Sequence, residues 1–156
     1  MDPVDRLLSI EAIKRLKARY LRLVNLKQWD EWLDTMTEDC EMILGARPQD
    51  TLKGREAIFA ALRTALAHED AFHQCHNPEI EVISEADARG VWSLHGGLVS
   101  TPESQPLHES FAYYEDEYRR GADGAWRVSR MVLKPWIRIV HDERAKPLGE
   151  GPSRDG

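Results

Sequence analysis

The chain has 156 residues, 42% hydrophobic and 31% charged, the balance of a globular domain in water rather than a fibrous or membrane-embedded chain. Lysine and arginine total 21 against 27 aspartates and glutamates, a net charge of −6 with no basic stripe, which argues against nucleic acid as a partner. No apolar run approaches the roughly 18 residues of a membrane span, residues 1–5 lack the start of a signal peptide, and two cysteines, Cys40 and Cys75, fit a reducing compartment, so a cytoplasmic protein without membrane contact is expected.

In chain order, Ser9 is placed to cap a first helix, with Glu11 in its first turn. Ile10, Ile13, Leu16, Tyr20, Leu23 and Val24 recur at helical spacing to about Leu26, while Lys14, Arg15, Lys17 and Arg22 are read as lying mostly off that stripe. A short second helix is expected over 28–36, ended by Thr37, Glu38 and Asp39, and a strand over 40–44. Residues 45–53 are polar, contain Pro48 and read as a loop. After Gly54, the spacing of Ile58, Leu62 and Leu66 predicts a third helix over 55–66.

The period then changes to two. Residues 79–83 and 88–99 alternate polar and apolar, with Trp92, Leu94 and Leu98 on one face and Arg89, Ser93 and His95 on the other. Gly96 and Gly97 in mid-strand suggest a bend or bulge. Residues 101–106 read as a turn, and 109–119 and 126–140 as long strands joined by a hairpin at Gly121-Ala122-Asp123-Gly124. On the last strand Val128 and Val132 are expected on one face, and Met131, Leu133, Ile137 and Ile139 on the other. One face would cover helices or a pocket and the other a second subunit. The Gly/Pro-rich residues 146–156 are expected to form a disordered tail to a single domain over 1–145. Helices first and antiparallel strands afterwards predict an α+β domain with its helices against one face of a curved sheet.

Several segments in this order resemble the SnoaL-like, or nuclear-transport-factor-2-like, superfamily. They are Ile13…Tyr20…Val24-Asn25 with Trp29-Asp30, Gly54-Arg55-Glu56-Ala57-Ile58, His73…Asn77-x-x-Ile80-x-Val82, and Tyr114-x-Asp116-x-Tyr118…Asp123-Gly124-x-Trp126-Arg127-Val128. Within it the chain is most similar to enzymes of the scytalone dehydratase and hexachlorocyclohexane dehydrochlorinase type. Leu133-Lys134-Pro135-x-Ile137-Arg138 resembles the last strand of the former, and Asp5-Arg6-Leu7 with Ala12-Ile13 the start of the latter. The resemblance implies a cone-shaped α+β barrel around a deep apolar pocket, cofactor-free chemistry on small molecules, and a homodimer or homotrimer through the outer sheet face.

The resemblance places His73 where the eliminating enzymes carry their base, a role suited to imidazole near neutral pH. Asn25 stands where they carry an aspartate; an amide can fix a tautomer but cannot stabilise imidazolium by charge. Asp116 is a candidate for the missing carboxylate, alongside the reading of a solvated hairpin acid. Tyr20 and Tyr114 are candidate phenol donors to a leaving oxygen or an enolate, each weighed against a core role. The parity of Ser110, Ala112, Tyr114 and Asp116 on the concave face also comes from the resemblance. Trp29, Phe59, Trp92, Leu94 and Met131 are candidates for the pocket wall; Arg130 is read as an outer-face residue. His73-x-x-His76 beside Pro78 lacks helical alignment and a third ligand, so no metal is expected. His95, His108 and His141 read as surface residues, Cys75 as a small hydrophobe, and neither a phosphate loop nor a serine elbow is present. Together these point to a lyase that loses water from a small aromatic or alicyclic hydroxylated metabolite, or cleaves it by a retro-aldol step, with His73 as base. An isomerase or cyclase using Asp116, and a non-catalytic ligand-binding domain, are the alternatives.

Overall fold

A computed structural model describes residues 1–100 and 105–142; the expected tail at 146–156 and the first four residues of the 101–106 turn lie outside them. Three helices, α1 (Pro3–Asn25), α2 (Trp29–Leu33) and α3 (Arg55–Ala65), precede or interrupt six strands. The strands are β1 (Met36–Ile43), β2 (Thr51–Lys53), β3 (Glu69–Val82), β4 (Asp87–Ser100), β5 (Gln105–Arg120) and β6 (Trp126–Val140). They form one curved sheet in the order β2-β1-β6-β5-β4-β3, open at both edges. Only the β1–β6 pairing is parallel.

The first helix starts six residues before Ser9. Asp2 caps it by accepting from the Val4 N–H at 3.0 Å, and Pro3 occupies a position where its missing N–H costs nothing. Ser9 is instead buried within the helix. α2 ends at Leu33 rather than Met36, because Thr37, Glu38 and Asp39 belong to β1. They lie in an irregularity of β1, held between Met36, which pairs with Val128, and Glu41, which pairs with Arg130. A 3₁₀ turn, Pro48–Asp50, and the short β2 replace the loop expected over 45–53.

β3 is far longer than the five residues that alternate. Asn77, at φ 50°, and Pro78 sit in a bulge between His76 and Glu79. Proline is tolerated there because β3 is an edge strand. A second bulge decides the faces of β6: Tyr118 pairs with Val128 but Glu117 pairs with Arg130, so Ser129 is extra. Parity therefore inverts, and Trp126, Val128 and Met131 all point into the core, with Leu133 packed against it. The expected separation of Val128 from Met131 is wrong for this reason, and the expected grouping of Ile137 and Ile139 with Met131 and Leu133 fails because a further extra residue, Trp136, turns them to the exposed face. Gly96 and Gly97 mark no bulge, since pairing runs through them in register with His73 and Phe72.

The helices lie on the concave face. Ile13 and Leu23 of α1, Trp32 of α2, Ile58 of α3 and Met36 of β1 are fully buried. Each removes apolar surface worth about 2 kcal/mol or more from water. From β5, Ala112, Tyr114, Asp116 and Tyr118 point into this interior, all 6% exposed or less. The opposite face leaves Tyr113, Trp136, Ile137 and Ile139 between 40% and 56% exposed. No helix among the described residues is long and apolar enough to cross a membrane.

Candidate active site

α1 delivers its last residue, Asn25, to the middle of β3. Asn25 Oδ1 lies 2.8 Å from His73 Nδ1, and Asn25 Nδ2 donates to the His73 carbonyl oxygen at 3.4 Å. A carbonyl oxygen only accepts, so the amide NH₂ must face it and the amide oxygen must face the ring. Nδ1 therefore carries the proton and donates to Oδ1, leaving Nε2 with its lone pair. His73 is half-buried, and its pKa is pushed down to about 4, first by burial and second by the charge of Lys17. The imidazole is thus neutral at pH 7, a base in its working form but a reluctant holder of a proton. Gly96, opposite it on β4, admits the ring: a Cβ there would stand 2.9 Å from the Phe72 carbonyl oxygen and 3.3 Å from His73 Cδ2.

Lys17 departs most from the sequence reading. It does not lie off the apolar stripe of α1: its side chain is 1% exposed and donates to Asp116 Oδ2 at 2.7 Å, the carboxylate itself being fully buried. Position 17 follows Ile13 by four residues and precedes Tyr20 by three, so a cation on the buried stripe was the available signal. The Tyr118 hydroxyl also donates to Asp116 Oδ2, at 2.7 Å, and accepts from Trp92 Nε1–H at 2.8 Å. Asp116 is therefore not a solvated hairpin acid but the centre of a buried network, whose Oδ1 has no partner. Tyr118 and Lys17 are the members that sequence reasoning missed.

The two candidate phenols flank this network. The Lys17 ammonium lies 4.0 Å from the centroid of the Tyr114 ring and 5.3 Å from that of Tyr20. Burial, before any other cause, raises both phenols well above the ordinary tyrosine value, so both stay protonated. Asp116, Tyr114 and Cys75 also act on Tyr20, and Lys17 on His73, so these groups share one interior. Burial holds the Cys75 thiol up at about 11 and the Cys40 thiol at about 12, so neither is a thiolate.

The proposed wall divides in two. Trp29 and Phe59 contact each other edge-on at 6.0 Å, and Trp29 continues through Trp32 to Tyr20, at 5.8 and 5.4 Å. This aromatic cluster joins α1, α2 and α3. Trp92, Leu94 and Met131 are buried on the sheet side, where Met131 pairs with Asp116 and Trp92 with Tyr114. Trp92 is part of the polar network rather than a bare apolar surface.

Elsewhere, Arg130 lies within ion-pair distance of Glu117 and Glu41, partly exposed on the outer face. His95 and His141 both bond Glu109 near the surface. His108 is not a surface residue: it is 2% exposed, and burial pushes its pKa down to about 4. Among the described residues no group of three or more histidine, cysteine or acidic side chains fits a metal ion.

The same architecture occurs in known structures. A protein from Novosphingobium aromaticivorans assigned as a scytalone dehydratase superposes with a TM-score of 0.80 at 22% identity, covering 96% of this chain and 99% of that one. The hexachlorocyclohexane dehydrochlorinase LinA-type3 of Novosphingobium barchaimii gives 0.76 at 23% identity, covering 89% and 94%. ActVI-ORFA of Streptomyces coelicolor gives 0.68 at 15% identity, covering 81% and 96%. At these identities the likeness establishes the fold and leaves the chemistry to the residues. The sequence profile of the SnoaL-like domain matches residues 5–132, most of the chain. The protein therefore belongs to the SnoaL-like family.

Proposed function

We propose that the protein is a cofactor-independent lyase that removes water from a small, largely apolar, hydroxylated aromatic or alicyclic metabolite, with His73 Nε2 as the general base. The observation that carries this reading is the tautomer. Asn25 Oδ1 accepts a hydrogen bond from Nδ1–H and leaves Nε2 as the proton acceptor, in an interior where the charge of Lys17 acts on His73 and the ammonium lies against two protonated phenols. The residues that would wall a small ligand are Trp92, Leu94 and Met131 and, toward α3, Trp29 and Phe59.

His73 takes a proton from carbon, the C–H electron pair forms the new double bond, and the C–O bond breaks. The departing hydroxide takes a proton and leaves as water, so no oxidant or reductant is needed. A neutral amide at position 25 and a cation at position 17 both disfavour imidazolium, which favours rapid return of that proton to the leaving oxygen, directly or through Tyr20 or Tyr114. Loss of hydroxide needs such a proton, whereas loss of chloride does not. This asymmetry favours the dehydratase name among the structural neighbours over the dehydrochlorinase name.

The test compares scytalone and hexachlorocyclohexane with a panel of hydroxylated aromatic and alicyclic ketones, reading loss of one water by mass spectrometry and chloride release in parallel. His73→Phe is expected to lower turnover by roughly 10²–10⁴-fold on whichever compound reacts. Unchanged turnover in that variant removes His73 as the base. A loss in Asp116→Asn that exceeds the His73→Phe loss would favour an isomerase or cyclase with a carboxylate base, a reading kept in view by the unpartnered Asp116 Oδ1.

A further inference from the structure

Among the described residues Lys17 is the sole buried lysine or arginine. Stability does not account for it, because a buried ion pair is often no better than apolar side chains of similar volume. Of the three N–H donors on its ammonium, the structure commits one, to Asp116 Oδ2. Asp116 is held as a carboxylate acceptor by two donors on that same oxygen, Lys17 and Tyr118, while Oδ1 is buried without a partner. The pair thus keeps unused hydrogen-bonding capacity in an interior it shares with Tyr20, Tyr114, Cys75 and His73.

We infer that Lys17 is the oxyanion-holding residue of this site, taking up the negative charge that develops on a substrate carbonyl oxygen while His73 removes a proton from the adjacent carbon. The inference rests on the general-base reading and narrows its substrate class to molecules with a carbonyl next to the labile C–H. A base held neutral and paired with an amide is weak, so the C–H it attacks must be acidified by such a carbonyl. The resulting enolate oxygen then needs a fixed positive charge in a water-poor interior. Asp116 fixes the ammonium and keeps the resting site neutral overall. Re-formation of the carbonyl expels the β-hydroxyl, which accepts the proton from His73 and leaves as water.

The probe is 4-nitrophenol, whose phenolate mimics the enolate oxygen and absorbs at longer wavelength than the phenol. About one pH unit below the free probe's pKa, adding wild-type protein is expected to raise the phenolate band several-fold. His73→Phe should keep that rise, since it removes only the base. Lys17→Met/Asp116→Asn removes both charges together and should abolish it, whereas Lys17→Arg should retain part of it. A wild-type protein that leaves the band unchanged, or a double variant that raises it as much as wild type, overturns the inference. If the double variant does not fold, the wild type alone decides. Across ring-substituted phenols of similar size, affinity must rise with phenol acidity, and a flat series overturns the inference. A His73→Phe variant that keeps turnover refutes the general-base reading without altering the phenolate band, so the two failures are distinguishable.

Discussion

Replacing Asn25 with aspartate puts a carboxylate where an amide now accepts from His73 Nδ1 at 2.8 Å. With the charges about 4 Å apart and an effective dielectric near 20, the attraction for imidazolium is about 4 kcal/mol, or about 3 pKa units. Two features reduce this. The second carboxylate oxygen would face the His73 carbonyl oxygen, which now accepts from Asn25 Nδ2 at 3.4 Å. Burial would also raise the new aspartate's own pKa. A net rise of about 2 units is expected, lifting His73 from about 4 to about 6. The assay is a pH titration of the imidazole nitrogens by long-range proton–nitrogen NMR, with His73→Phe identifying the resonance. Movement of less than about half a unit would mean that position 25 does not govern the ring, and the tautomer argument for Nε2 would fail with it.

Three further outcomes follow from the same geometry. Lys17→Met strands the buried Asp116 carboxylate and should cost about 3–5 kcal/mol in denaturant unfolding, most of it recovered in Lys17→Met/Asp116→Leu; a single variant costing under about 1 kcal/mol would contradict the buried pair. His73 and His108 fold with pKa values near 4 against an ordinary 6.5, so the unfolded chain binds protons first as pH falls. Their contribution is complete above about pH 6.5 and lost progressively toward about pH 4, and stability that stays level across that window would refute their burial as neutral rings. Gly97→Ala would press a Cβ against the His108 carbonyl oxygen and the Phe72 ring, and should destabilise by on the order of 2 kcal/mol; a thermal midpoint equal to wild type would show that the β3–β4–β5 approach is looser than described.

Much of this protein could be read along the chain. Ile13, Tyr20 and Val24 repeat at helical spacing, so the buried stripe of α1 needs no partner to be recognised. Alternation at Trp92, Leu94 and Leu98, and the Gly-Ala-Asp-Gly hairpin with Gly124 at φ 78°, are equally local. Only a resemblance links Asn25 to His73 in the sequence: 48 residues separate them, and no local rule brings a helix terminus to a distant strand. The concave-face position of Asp116 likewise follows from the resemblance, and the solvated alternative fails because Lys17 meets it from 99 residues away.

The misreadings share one physical origin. Length, period and composition determined the order of helices and strands, the α+β class and the buried stripe, because those follow from side-chain spacing on a regular backbone. Only the tertiary structure decided that β1 begins at Met36, since β6 fixes both ends of its polar segment, Met36 against Val128 and Glu41 against Arg130. Only it inverted the faces of β6, since one extra residue at Ser129 shifts the side chains that follow by half a period until a second extra residue, Trp136, shifts them back. It alone made Lys17 an interior cation, because a charge can be buried only where a counter-charge waits, and Asp116 arrives on a strand formed much later in the chain.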